Sequence, residues 1–241
     1  MDKNSYILDI GKIKIRCSFR YKDTASFFHG FISDNNTNQN VGIIKINSFD
    51  EEVWRKSGSK MSSHAEYSLF CGRVSDYMLN NRACLVHAVA FKRKNKAYLI
   101  MGEPGIGKST QIKYLMELYP NEFSIICGDR PCLKFEDDGK IMVYPTPWNG
   151  KEGWHGANEC ELCCLFYLVR GEQTKITRLN EKEAVLPVFS SIISRREDEN
   201  SITTIGKLCE HIIKKYPVFK YINGGVPHST KDFYDTICIE D

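Results

Sequence analysis

The sequence lacks a strong excess of charge of either sign. Lysine and arginine together number 33, aspartate and glutamate 30, and the 241 residues carry a net charge of +3. A protein that binds nucleic acid or an anionic membrane through its charge carries a larger basic excess than this. We therefore expect neither nucleic acid nor a membrane among its partners, and we interpret the basic stretches FKRKNK and SRREDEN as solvated loops.

Long apolar runs are also missing. The first residues, MDKNSYILDIGK, contain no apolar signal core, and no segment approaches the roughly 20 apolar residues of a membrane-spanning helix. Without an export signal, the ten cysteines are expected to be reduced thiols of a cytoplasmic protein.

Histidine and cysteine residues at the spacing typical of metal ligands are scarce as well. The six histidines show none, and no second close Cys/His pair follows the cluster of Cys160, Cys163 and Cys164. Because this cluster continues into the strand-like segment LFYLV, a structural strand is favoured over a zinc site.

The sequence does contain enough apolar material for a core, with 42% hydrophobic and 12% aromatic residues. Its length permits one large domain, or one domain with a smaller appendage. Residues 1 to about 60 are typical of β structure with polar turns, among them the loop SDNNTNQN. The segment KIKIRCSF alternates apolar and polar residues as a half-buried strand does, and residues 62 to 81 have helical spacing.

From residue 83 onwards, strands are predicted to pair as hairpins. CLVHAVAFKRKNKAYLIMG favours one hairpin, and PCLKFEDDGKIMVYPTPW favours another that turns at Asp138-Gly139. A helix is predicted from about Lys108 to Leu118, a strand at CCLFYLVRG, and two helices at the end of the chain. Ordinary phosphate-loop hydrolases alternate strand and helix over parallel strands. The hairpins here therefore predict an α+β or mixed α/β protein with a mixed, largely antiparallel sheet.

A glycine-rich loop is the most specific motif of the chain. GEPGIGKS fits the phosphate-binding pattern of a glycine, four free residues and then Gly-Lys-Ser/Thr. Its glycines permit backbone angles that a side chain forbids, so that consecutive N–H groups can surround a phosphate chain at a helix N-terminus. Lys108 would reach the outer phosphates, and the Ser109 hydroxyl would bind Mg²⁺. The predicted nucleotide-binding residues are Gly102, Glu103, Pro104, Gly105, Ile106, Gly107, Lys108, Ser109 and Thr110.

Two further residues are candidates for catalysis. Asp129 ends FSIICGD, which is predicted to be a buried strand after the loop, and a carboxylate there can orient a metal or take a proton, although it could also cap a turn. His87 lies in the strand that precedes the loop by one hairpin, and pairing of 84–91 with 97–101 would bring it to the level of the loop. The alternative is that His87, a single histidine in an apolar strand, has only a structural role.

The segment YPTPWNGKEGW is unusual because two prolines stiffen it around a large ring. Trp148 looks exposed in this context, and Lys151 follows an Asn-Gly turn. The segment could close over a nucleotide or an acceptor. The alternative is a rigid connection with Trp148 in the core.

These motifs resemble those of a known family. LVHAVAFKRKNKAYLIMGEPGIGKST is similar to the strand, hairpin and loop of HPr serine kinase/phosphorylases. The closer resemblance is to the HPr-kinase-related proteins of peptide-modification gene clusters, such as lasso-peptide kinases. Those carry the same histidine, the loop, an acidic D-R/K-P turn and a TPW.GK segment, and this chain has the four in that order within residues 83 to 190.

The resemblance implies the fold of phosphoenolpyruvate carboxykinase, with a phosphate loop in a mixed sheet. It implies a nucleotide-binding kinase core at 81–241, whereas the β-rich region with a helix at 1–80, and the possibility that it holds an acceptor, are predicted from composition alone. It also implies ATP and Mg²⁺, and phosphate transfer to a hydroxyl, typically that of serine. Carried over to this sequence, the catalytic residues are His87, Asp129 and Lys108, the metal ligands are Ser109 and Asp129, and the substrate contacts are Arg130, Trp148 and Lys151.

The chain departs from the family pattern in two places. Gly128 precedes Asp129 where the family usually has a second aspartate, and Thr110 follows Ser109 where HPr kinases have glutamate. The second signature loop of HPr kinases is not found. Phosphorylase activity and HPr as a substrate are therefore not predicted.

The predicted function is an ATP-dependent kinase that acts on a serine of a peptide or small protein. One alternative is a kinase of a small-molecule alcohol or of free serine. Another is a module that binds ATP without transferring phosphate, for which the missing aspartate at Gly128 is the best support. The oligomeric state is left open, and a homo-oligomer is possible.

Overall fold

The computed structural model describes residues 5–33, 41–56, 58–156, 158–195 and 199–240. Most of the predicted loop SDNNTNQN and the centre of SRREDEN lie outside these residues. The secondary structure combines a three-stranded sheet, a ten-stranded sheet and helices on both faces of the larger sheet. The predicted mixed α/β class is confirmed.

The small sheet is built by the N-terminal region. Its strands are β1 (Ser5–Ile10), β2 (Ile13–Ser18) and β3 (Gly42–Ile44). β1 and β2 are antiparallel and β3 is parallel to β2. Residues of β2 are alternately buried and half-buried, as the sequence pattern predicts. A 3₁₀ helix, Lys22–Phe28, follows β2.

Two α-helices complete this region, and one of them corrects the sequence prediction. α2 (Ser63–Leu79) confirms the predicted helix, but α1 (Ser48–Lys56) replaces predicted β structure. Asn47 and Asp50 cap α1 reciprocally, each side chain accepting a hydrogen bond from the other's backbone N–H. Asp50 also accepts hydrogen bonds from Arg73 and Arg195, so tertiary ion pairs help to fix a short helix in which charged and polar residues outnumber apolar ones.

The large sheet follows the order β12-β4-β8-β9-β10-β6-β5-β7, and β13 pairs with β10 and β11. Among the strand pairs of this sheet in the described residues, only β10–β6 and β10–β13 are parallel, which confirms a mixed, largely antiparallel sheet. Its strands are β4 (Ala83–Val86), β5 (Ala88–Arg93), β6 (Lys96–Met101), β7 (Phe123–Cys127), β8 (Cys132–Phe135), β9 (Ile141–Tyr144), β10 (Cys160–Arg170), β11 (Lys175–Arg178), β12 (Ile192–Ile193) and β13 (Val218–Asn223). Both predicted hairpins are present, β5 with β6 and β8 with β9.

Four helices belong to this part of the chain: α3 (Lys108–Leu118), α4 (Glu181–Ser191), α5 (Glu199–Lys215) and α6 (His228–Glu240). The first three confirm predicted helices. The prediction that two helices end the chain is wrong, because β13 and α6 follow α5. No helix among the described residues is both long enough and apolar enough to cross a bilayer.

Three hydrophobic clusters hold these layers together. One lies between the large sheet and helices α4 and α5, and another lies between the sheet and helices α3 and α6. The remaining cluster joins Leu8 and Phe28 of the N-terminal region to Leu85 of the sheet and Val74 of α2. The N-terminal region therefore packs its apolar side directly on the large sheet, across the predicted boundary at residue 80.

Candidate active site

The glycine-rich loop connects buried strand β6 to helix α3. Gly102 has φ of 145° and Gly107 has φ of 108°, values that a side chain rarely adopts. A Cβ added at Gly102 would also lie 2.7 Å from the carbonyl oxygen of Leu168. By contrast, a Cβ added at Gly105 or Gly107 would have no atom of the described residues within 4 Å apart from those of the adjoining chain. The loop thus has its first glycine pressed against β10 and its later glycines facing open space.

Lys108 occupies the inner side of this loop, with only 8% of its surface exposed. Its ammonium nitrogen donates to the carbonyl oxygens of Gly102, at 2.9 Å, and Glu103, at 3.3 Å, and lies 3.3 Å from His87 Nε2. An ammonium group has three hydrogens, and these three acceptors match them. Burial lowers the pKa of Lys108, and the negative charge of Asp129 opposes that shift.

His87 lies at the bend between β4 and β5. Ala88, the first residue of β5, pairs with Met101, the last residue of β6, which brings His87 to the level of the loop as predicted. Burial lowers the pKa of His87, the positive charge of Lys108 lowers it further, and Asp129 opposes both. The ring is therefore neutral near pH 7, and its Nε2 can accept a hydrogen bond from Lys108.

Asp129 lies beside His87 because two connections between strands are adjacent in the structure. Residues 86–88 pass from β4 to β5, and residues 128–131 pass from β7 to β8. The backbone N–H of Ala88 donates to Asp129 O, and that of Val86 donates to Pro131 O. Asp129 Oδ1 consequently lies 3.5 Å from His87 Nε2. The structure thus brings together the three residues predicted to be catalytic.

The surroundings of Gly128 explain why no second carboxylate is present at this position. The residue is buried, and a Cβ added to it would collide with the carbonyl oxygen of Asn149 and lie 3.1 Å from Trp154 Cβ. Its N–H donates to the carbonyl oxygen of Trp154. The space that a second aspartate would need at this position is filled by the segment that follows β9.

That segment, residues 145–156, supports the Asp129 turn from one side. The N–H of Arg130 donates to Trp148 O at 3.0 Å, and the Thr146 hydroxyl donates to Arg130 O at 2.7 Å. Further along, the N–H of Gly156 donates to Ile126 O at 2.9 Å. These hydrogen bonds run along the end of β7 and fix the backbone on which Asp129 is held.

The expectation of an exposed ring at Trp148 is wrong. Trp148 is 2% exposed and packs against the rings of Phe28 and Tyr67, with centroids 5.9 and 6.0 Å away. Its indole N–H donates to the carbonyl oxygen of Tyr67. A large apolar ring with a satisfied N–H gains more from the core than from solvent. The alternative, a rigid connection with Trp148 in the core, is what the structure shows.

The other two predicted substrate contacts differ from each other. The Arg130 guanidinium is turned inward, with Nε 3.2 Å from Asp129 Oδ2 and Nη1 donating to the sulfur of Cys71. Lys151 is exposed on the turn that follows Asn149. Arg130 thus orients the Asp129 carboxylate, and a substrate contact from either side chain stays a prediction.

Ser109 and Thr110 begin α3 at the mouth of the loop. Ser109 is half-buried and Thr110 is exposed. In the part of the chain that the structure describes, no side chain caps α3 at Gly107, so the first amides of the helix carry no capping group there. Among the described residues no cluster of three or more histidine, cysteine, aspartate or glutamate side chains could hold a metal ion. A serine hydroxyl and one carboxylate fit Mg²⁺, which takes few protein ligands and binds together with phosphate oxygens.

Arg170 is a site residue that sequence reasoning missed. It ends β10, and its Nη2 donates to Gly105 O at 2.9 Å. The parallel pairing of β10 with β6, in which Tyr167 is opposite Met101, carries the end of β10 past the beginning of the loop. No local pattern marks this residue, because only the strand order places it there.

Comparison with known proteins adds little. No protein-family model and no curated protein sequence matches the chain. Among solved structures, the chain is similar to the Hpr(Ser) kinase/phosphatase from Coxiella burnetii, with 14% identity and a TM-score of 0.39 over 64% of this chain and 88% of that one. This likeness assigns neither a family nor an activity. The family resemblance and the phosphoenolpyruvate carboxykinase fold therefore stay predictions.

Proposed function

We propose that this protein is an ATP-dependent kinase that transfers a phosphoryl group to a hydroxyl, with a serine of a peptide or small protein as the acceptor. The observation that carries the proposal is the contact of Lys108 with His87, beside Asp129, on the inner side of a glycine-rich loop. A phosphate-binding cation, a neutral base and a carboxylate within one site are groups that can bind, activate and stabilise the reactants of phosphoryl transfer to a hydroxyl.

The loop supports phosphate binding through its backbone. The later glycines face open space, and the uncapped first turn of α3 presents N–H groups and the positive end of the helix dipole. Lys108 would exchange its contacts with the loop carbonyls and His87 for the outer phosphates. Mg²⁺, held by Ser109 and Asp129, would neutralise part of the phosphate charge when bound.

The proton of the acceptor passes to His87 or Asp129 in this mechanism. The acceptor oxygen forms a bond to the γ-phosphorus, the bond from that phosphorus to the β,γ-bridging oxygen breaks, and ADP leaves. Once Lys108 moves to the phosphates, Nε2 of His87 is free to accept the hydroxyl proton. The resulting imidazolium is stabilised by the carboxylate of Asp129, 3.5 Å away.

The choice of a peptide acceptor is supported by the sequence resemblance to kinases of peptide-modification clusters, including lasso-peptide kinases. The N-terminal region offers a place for such a peptide. Strand β3 lies at an edge of the small sheet, and its Ile43 is 69% exposed. A peptide could add a strand beside β3 and bury this side chain.

Intact-mass measurement tests the proposed function. The protein is incubated with ATP, Mg²⁺ and peptides that end in serine or carry it centrally, and separately with free serine and small alcohols. We expect a serine peptide to gain one phosphate and ATP to be converted to ADP. Phosphate on a small alcohol alone would support the small-molecule alternative, and no transfer to any acceptor would contradict kinase activity.

A module that binds ATP without transferring phosphate is the second candidate, and one observation favours it. Gly128 has no space for the second carboxylate of the family pattern. This candidate predicts that ATP raises the thermal unfolding midpoint while no acceptor in the panel gains mass. Transfer to any hydroxyl excludes it.

The pH dependence of transfer follows from burial, which is the largest cause of the lowered pKa of His87 and does not depend on the position of Lys108. A base with a lowered pKa stays neutral as the pH falls through the ordinary histidine value and is lost only at lower pH. We expect kcat/KM to be constant near neutrality and to decline with a midpoint below about pH 6.5. The pH profile of kcat/KM measures this, with the nucleotide saturating.

Two variants test whether His87 causes the decline of kcat/KM at low pH, which is the acid limb of the profile. His87→Asn should lower activity and remove the limb, whereas His29→Gln, at an exposed histidine of the N-terminal region, should leave the profile unchanged. An identical limb in His87→Asn would assign the proton to another group, and Asp129 is the nearest candidate.

A further inference from the structure

A cavity of about 360 Å³ lies beside the glycine-rich loop, and neither His87 nor Lys108 is among the residues that line it. One wall is formed by the loop and the first turn of α3, and the other by the ends of two strands, β10 and β13. Its lining includes Ile106, Thr110, Arg170, Asn223, Gly225 and Val226.

The position of this cavity fixes which part of a nucleotide could enter it. Lys108 marks the outer-phosphate end of the loop, because its ammonium lies against His87 and near Asp129. In a phosphate loop the backbone cradles the inner phosphates and the lysine reaches the outer ones. Thr110 is on the cavity side of α3, so a phosphate chain that begins at Lys108 leaves the loop toward the cavity.

The chemistry of the lining suits a nucleoside. Ile106 and Val226 provide apolar surface, and Arg170 provides a planar guanidinium that is anchored to the loop at Gly105 O. The Asn223 side chain is held in place, because its Oδ1 accepts from the N–H of Gly225 at 2.8 Å. The volume lies at the small end of the range for ligand pockets.

We propose that this cavity holds the base and ribose of the nucleotide whose phosphates bind the loop. The inference rests on the proposed function, since it requires a nucleotide. It adds that the nucleoside lies between the first turn of α3 and residues 223–226, with Arg170 and Asn223 as its polar contacts. The affinity for ATP therefore has two separable parts, one from the loop and one from the cavity.

Val226→Trp tests the inference by filling the cavity without altering the loop. The probes are ATP and inorganic tripolyphosphate, each with Mg²⁺, measured by isothermal titration calorimetry on the full chain. We expect the wild-type protein to bind ATP more tightly than tripolyphosphate by at least about tenfold, a difference of about 1.4 kcal/mol. In Val226→Trp this preference should disappear while the tripolyphosphate affinity stays unchanged.

The matched control is Leu186→Trp, which places the same side chain on the exposed surface of α4. It should keep the ATP preference. Wild-type protein that binds neither probe would contradict the proposed function itself. Equal binding of the two probes by the wild type, or an undiminished ATP preference in Val226→Trp and in the smaller Val226→Phe, would overturn the nucleoside site while leaving phosphate binding intact.

Discussion

Replacing Lys108 with alanine is expected to reduce phosphate transfer by about 10³-fold or more, the order observed when a charge-stabilising donor is removed from a transition state. Lys108 is the cation at the inner side of the loop, and its side chain already contacts His87, the proposed proton acceptor. Its loss removes both the charge that binds the outer phosphates and the group that orients them. Steady-state kinetics with a serine peptide measures the effect.

The fold should survive this substitution. Lys108→Ala leaves the carbonyl oxygens of Gly102 and Glu103 without their side-chain donor, which costs about 1 kcal/mol for each hydrogen bond. Lys113→Ala is the matched control, because Lys113 is an exposed lysine of the same helix. We expect wild-type kinetics from Lys113→Ala. Normal turnover in Lys108→Ala would remove the loop from the mechanism.

Gly128→Asp is expected to destabilise the protein by about 3 kcal/mol or more, the range for overpacking combined with an unpaired buried charge. The family resemblance suggests that this substitution restores a second catalytic carboxylate. The structure predicts the opposite outcome, because the position is buried and an added Cβ would collide with the carbonyl oxygen of Asn149. Displacing that segment would also release the hydrogen bonds that hold the Asp129 turn.

Chemical denaturation measures this loss as a lower unfolding midpoint. Gly206→Asp is the matched control, because a Cβ added at Gly206 in α5 meets no atom within 4 Å. That variant should remain within about 0.5 kcal/mol of the wild type, as surface substitutions do. A Gly128→Asp variant of normal stability, and above all one with higher activity, would show that the segment moves aside and that a carboxylate fits.

The absence of a second carboxylate shapes the proposed chemistry. Asp129 is the one carboxylate on its turn, and Arg130 contacts one of its oxygens while His87 lies near the other. A single carboxylate that binds the metal leaves the proton to His87, whose lowered pKa keeps it neutral and available. The pH profile and the His87→Asn variant test this division of roles.

Much of the secondary structure near the site was predictable because its signals are local. The glycine pattern marks the beginning of α3 and Pro120 follows its end. The Asp138-Gly139 turn marks a hairpin. The helix α1 and the final pair β13 and α6 were missed. α1 is short, has few apolar residues and is fixed by tertiary ion pairs at Asp50, and β13 is stabilised by pairing with β10 and β11.

The sequence by itself determined which chemical groups are available: a glycine-rich loop with Lys108, a histidine one hairpin earlier and an aspartate one strand later. Turn chemistry and periodicity act over a few residues, so they could place these groups on elements but not against each other. Only the tertiary structure decided that His87, Lys108 and Asp129 meet, that Arg170 reaches the loop, and that Trp148 is buried. Those outcomes depend on strand order and on the space left by distant segments, which no local pattern encodes.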